Sequence, residues 1–198
     1  MSSETTTKLG VWQRINWPGL LAGVLAIAVP FLGAWWKFKL GTEAVVIAAS
    51  PFGMELNIFG ETISSPLLWW LGLGLKLVLM YFGLLLLLGS VLSVSDRYAA
   101  IAKLFVRFSA RKLLWLVIAF VAILFIGIML VNQLPGLLGL SVPLQLPYLT
   151  GEKVVSISLD GLRLTIPVTT EFPQPGFVIA LFAAALGISA WFYQKRIP

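Results

Sequence analysis

Four hydrophobic runs constrain this chain more than any other feature: Pro18 to Trp36, Pro66 to Ser90, Leu113 to Val131 and Gly176 to Tyr193, none containing an Asp or Glu. Each holds roughly the 17 to 25 residues that a helix needs to cross the hydrocarbon core of a bilayer. Only 11% of residues are charged and 59% are hydrophobic, whereas soluble domains carry about 25% charged residues. The runs predict an α-helical integral membrane protein with four transmembrane helices. The implied segments are a tail (1–17), helix (18–36), outer loop (37–65), helix (66–90), basic inner loop (91–112), helix (113–131), outer loop (132–175), helix (176–193) and tail (194–198).

Lys and Arg counts in the connections set the orientation. One side has Lys8, Arg14, Arg97, Lys103, Arg107, Arg111, Lys112, Lys195 and Arg196; the other has Lys37, Lys39, Lys153 and Arg163. Nine against four predicts a multi-pass cell-membrane protein with both termini cytoplasmic. All eight Trp residues lie near run ends, where indole rings favour the headgroup layer. The net charge of +6 is then a topology and lipid signal, with no nucleic-acid partner implied.

The outer loops carry strand signals. Val155, Ile157 and Leu159, like Met54, Leu56 and Ile58, recur at period two. Asp160-Gly161 joins two such segments in the later loop and Ser50 to Gly53 in the earlier one. Two extracytoplasmic β-hairpins are expected, forming one small sheet, since isolated hairpins are marginal in water. A plan of helix, hairpin and helix in each half is open to two readings, a parallel internal repeat or the convergence of two ordinary hairpins.

Two further segments predict surfaces. In 95–112, Lys103, Arg107 and Arg111 recur every four residues, opposite a stripe of Tyr98, Ile101, Phe105 and Phe108. This predicts a short amphipathic helix, N-capped by Ser95, whose cations and Lys112 meet lipid headgroups. The stretch from Leu134 to Leu149 is apolar but broken by Pro135, Pro143 and Pro147. Leu134, Leu137, Leu138 and Tyr148 are its candidate interface residues, facing the membrane surface or a partner.

Lys76 is the only charge inside any run. An ammonium near the bilayer centre costs about 3 kcal/mol on insertion scales, so it marks a function or a specific partner. It shares one face of its helix with Gly72, Gly83 and Ser90, a small-residue groove suited to helix contact. Pro30 leaves the Ala26 carbonyl without its helical donor, offering Lys76 an internal acceptor. The alternatives are a carboxylate on another chain or an anion in a wet path.

Catalytic chemistry is scarce. The chain has no His and no Cys, which removes imidazole acid–base chemistry, thiolates and their metal sites. No cofactor is expected. The composition predicts a non-catalytic subunit of a membrane complex that binds partner transmembrane helices. The alternatives are an anion transporter or channel acting as an oligomer, with Lys76 attracting the ion, and an outer-surface binding or envelope module with contacts at Phe52, Phe59 and Phe172.

Overall fold

The computed structural model describes residues 15–137, 146–159 and 162–196. It is mostly helical, with a small antiparallel sheet at one end. Helix α1 spans Trp17–Ala28, α2 Pro66–Leu92, α3 Ala99–Leu137 and α4 Pro175–Arg196. Strands are β1 (Trp36–Leu40), β2 (Val45–Ser50), β3 (Gly53–Ile58), β4 (Glu61–Ile63), β5 (Gly151–Leu159) and β6 (Leu162–Glu171).

Three helices, α2, α3 and α4, are long and apolar enough to cross a membrane. The first run departs from expectation because its helix stops early. Asn16 caps α1 by accepting from the Gly19 amide at 3.1 Å, and Pro18 sits in the first turn. At the other end Pro30 cannot donate, the chain tightens into a 3-10 turn over Val29–Phe31, and Gly33 reverses it at φ 79°. The 15 residues Trp17–Phe31 rise only about 22 Å.

Beyond this reversal the chain enters strand β1 instead of extending the helix. In β1 the apolar Trp36, Phe38 and Leu40 alternate with Lys37 and Lys39, and β1 pairs with β2 on one side and β6 on the other. The sheet order is β4-β3-β2-β1-β6-β5. Both expected hairpins are present, as β2–β3 and β5–β6, and β1 joins them into one sheet. Between β3 and β4, Phe59 (φ 49°) and Gly60 (φ 87°) make a two-residue turn of the kind whose twist suits a hairpin. On the polar face, Lys39 bonds Glu171 at 3.0 Å and approaches Glu43 at 3.6 Å. The Glu171 contact holds the Lys39 ammonium above the usual lysine range.

Among the described residues the halves are not alike. Four strands follow α1 and two follow α3, and α1 has 12 residues where α3 has 39. The repeat is therefore not visible in the fold.

The helices form a bundle in which α1 contacts α2 and α4, and α3 contacts the same two. At the sheet end its centre is Trp35, which is 0% exposed and meets Phe52, Phe120 and Phe177 edge-on at 5.0 to 5.8 Å. Trp35 and Trp36 are thus core residues, whereas Trp69, Trp70 and Trp115 are exposed as a headgroup belt requires. At the other end Asn16, fully buried, donates to the Ala190 carbonyl at 2.9 Å and to Gln194 at 3.0 Å.

The basic segment also differs from expectation. It is no separate surface helix; after a 3-10 turn at Asp96–Tyr98, α3 runs unbroken through it. Ser95 makes no side-chain cap. The face buried in the bundle is Ala102, Val106, Ser109, Ala110 and Leu113, while Tyr98, Ile101 and Phe108 remain exposed. Small residues win that face because Gly89 of α2 approaches the Ala102 carbonyl and Val106.

Candidate functional site

Two cavities lie where the helices meet the sheet, and together they gather most of the residues that the sequence singles out. The first follows from the length of α3. At 39 residues it rises about 58 Å, nearly twice the hydrocarbon thickness. Its C-terminal half crosses the apolar face of the sheet, where Ile128 packs with Trp36, Phe38, Val155 and Val168. Between these elements remains a cavity of about 870 Å³. Its walls are Phe38, Leu40, Ile47 and Met54 of the sheet, and Phe120, Ile123, Leu124, Gly127 and Val131 of α3. Ser50 is the one hydroxyl residue in the lining. A Cβ at Gly127 would meet nothing within 4 Å, so the helix backbone borders open space here.

Asn132 ties the wall to the proline-rich stretch. Its side chain accepts from the Leu146 amide at 2.7 Å and donates to the Leu146 carbonyl at 3.1 Å, a two-point clamp. Of the candidate interface residues, Leu134 and Leu137 are exposed, Tyr148 is exposed and stacks on Phe125 at 5.6 Å, and Leu138 lies outside the described residues.

The second cavity, about 500 Å³, contains Lys76. Lys76 is about 15 Å from the start of α2 by helical rise, and in the structure its cavity lies on the sheet side of the bundle. Gly72, one turn earlier, lies against the backbone carbonyl of Phe52 in the β2–β3 turn, a contact that leaves no room for a Cβ. Lys76 shares its cavity with Pro30, Ser50, Glu55, Thr62, Ser64, Ser65 and Trp69. Pro30 is thus near it as expected, yet Lys76 forms no hydrogen bond to Ala26 and no ion pair among the described residues. A carboxylate of the same chain, Glu55, lines the same cavity.

The other seam residues pack helices. Gly83 faces Gly23 and Ile27 of α1, and Ser90, fully buried, donates to the Leu86 carbonyl at 2.7 Å beside Gly19. Lys103, Arg107, Arg111 and Lys112 stay at the end away from the sheet, with Arg111 5.9 Å and Lys195 4.5 Å from the Trp191 ring. Of the three aromatics considered for ligand contact, Phe52 is buried in the core, Phe172 is partly buried against it and Phe59 is 81% exposed. Among the described residues no cluster of three or more acidic side chains suited to a metal forms.

Sequence reasoning misses Asn16 and Gln194, which hold the basic end together through a buried bond. The signal was local: an Asn directly before Trp-Pro is a cap followed by a first-turn proline. Compared with known proteins, the chain matches no family model, no curated protein and no solved structure.

Proposed function

We propose that this protein is a non-catalytic subunit of a membrane complex, which holds a transmembrane helix of a partner along the outer half of α3. The apolar cavity between α3 and the sheet is the observation that carries this reading. An open space of about 870 Å³ between two apolar walls is a groove to be covered, and an apolar groove is what a helix packs against. Burial points the same way: in the most apolar stretch of α3 only 11% of residues are buried within the chain, against 28% in α2 and 39% in α4. Gly127 lines the opening, and small residues let a second helix backbone approach closely.

In this reading all four helices enter the bilayer, α1 as a short span packed on α2 and α4 with Leu21 and Val24 exposed on its other face. The basic end is cytoplasmic with both termini, and the sheet is extracytoplasmic; the distribution of Lys and Arg supports that orientation. The cations of α3 then meet anionic headgroups.

The test is Gly127→Trp together with a photo-crosslinking residue at Ile123. Because no atom lies within 4 Å of a Cβ at Gly127, the indole is expected to occupy the cavity without unfolding the chain. Wild type should cross-link to one partner helix, and the tryptophan variant should lose at least about nine-tenths of that product, a tenfold change equal to about 1.4 kcal/mol. Equal cross-linking in both would contradict the reading; cross-links to lipid alone would replace it by lipid filling of the cavity.

A further inference from the structure

The Lys76 cavity is walled differently from the apolar one. Besides Pro30 and Trp69 it presents a cation, a carboxylate at Glu55 and the hydroxyls of Thr62, Ser64 and Ser65. Glu55, Thr62, Ser64 and Ser65 are exposed and Lys76 is partly buried, and among the described residues none of them has a side-chain hydrogen-bond or ion-pair partner. Ser65 directly precedes α2 but makes no side-chain cap, so its hydroxyl is not used by its own helix. A half-buried ammonium on an otherwise apolar helix is costly unless an opposite charge or strong acceptors meet it.

Depth decides what meets it. Trp69 lines the cavity at 59% exposure and Trp70 beside it is 65% exposed; about 10 Å nearer the sheet than Lys76, these indoles put the mouth of the cavity at headgroup level, within reach of a lysine that snorkels upward. Phosphate is the anion of that layer. In zwitterionic lipids an amine follows it, so a site with one cation, one carboxylate and free hydroxyls matches the charges in kind.

We propose that this cavity binds the phosphodiester of a phospholipid headgroup, with Lys76 and the Thr62, Ser64 and Ser65 hydroxyls on the phosphate and Glu55 on the headgroup amine. The two cavities adjoin, sharing Ser50 and Met54, but none of the five residues assigned to the headgroup lines the cavity on α3.

The experiment is native mass spectrometry of the full chain released from nanodiscs containing phosphatidylethanolamine, phosphatidylglycerol or an uncharged galactolipid with the same tails. Wild type is expected to retain one phosphatidylethanolamine and to prefer it at least about fivefold over the galactolipid. Lys76→Met should reduce that retention about tenfold, the loss of one charge-assisted contact, while Lys76→Arg retains it. Glu55→Gln should erase the preference for phosphatidylethanolamine over phosphatidylglycerol. Removing a charge from an apolar helix favours insertion, so Lys76→Met remains folded and its melting curve verifies this. Galactolipid retained as well as phosphatidylethanolamine, or undiminished retention in Lys76→Met, would overturn the proposal. Inorganic phosphate raising the melting temperature of delipidated wild type as much as the phospholipid does would assign the site to free phosphate and overturn the lipid.

Discussion

Trp35→Ala is expected to destabilise the protein by about 3 to 5 kcal/mol, the usual cost of emptying a large aromatic site that cannot collapse. Trp35 is fully buried and contacts aromatic rings from three elements: Phe52 from the β2–β3 turn, Phe120 from α3 and Phe177 from α4. It also joins bundle to sheet through its backbone, donating to Ala49 at 2.8 Å and accepting from Gln174 at 3.0 Å. The loss is therefore predicted to loosen the sheet from the helices, and to appear as earlier unfolding in a detergent titration followed by tryptophan fluorescence and circular dichroism. Trp35→Phe is the control. The indole N–H is buried without a hydrogen-bond partner, a state that costs about 1 to 3 kcal/mol, so phenylalanine regains some of what it loses in volume. A Trp35→Ala variant as stable as wild type would mean that the bundle and the sheet are not held together here.

Gly83→Leu is the second large effect. A Cβ at Gly83 would lie 2.9 Å from the Gly23 carbonyl and 2.7 Å from Ile27, and Gly23 meets the Gly83 carbonyl reciprocally at 2.8 Å. Backbone atoms cannot turn aside as a side chain can, so α1 and α2 must separate. Overpacking costs typically about 1 to 3 kcal/mol and more when backbone is displaced. The variant should release α1, measured as faster hydrogen exchange and protease cleavage near Asn16. Gly74→Leu on the same helix meets nothing within 4 Å, and is expected to be neutral or to gain up to about 1 kcal/mol from helix propensity. Equal behaviour of the two would refute the close α1–α2 contact.

The parts of the fold legible in the sequence are those where one physical signal acts alone. α2 and α4 are continuous apolar runs opened by Pro66 and Pro175, and the hairpins β2–β3 and β5–β6 announce themselves by period-two alternation between turn residues. β1 is hidden because its alternating Trp36, Lys37, Phe38, Lys39 and Leu40 directly succeed an apolar run that continues its hydrophobicity. The continuity of α3 is written in an absence: no Pro or Gly occurs between Ser95 and Gly127, so nothing stops a helix that charge patterning divides in two. The surroundings of Lys76 are the clearest case of what counting along a helix leaves out: the contact of Gly72 with the Phe52 carbonyl sets the first turns of α2 beside the sheet. That contact joins residues 20 positions apart in sequence and leaves no periodic trace. The cavity on α3 was equally unreadable, since it depends on where an unbroken helix passes a sheet that contains β1.

A partner helix held along the C-terminal half of α3 would show in the mass of the particle. Extracted from its native membrane in a mild detergent and weighed by native mass spectrometry, the wild-type chain of 21.6 kDa is predicted to travel in a defined heavier assembly, while Gly127→Trp is released as a folded monomer. A monodisperse wild-type monomer carrying no second polypeptide would contradict the claim.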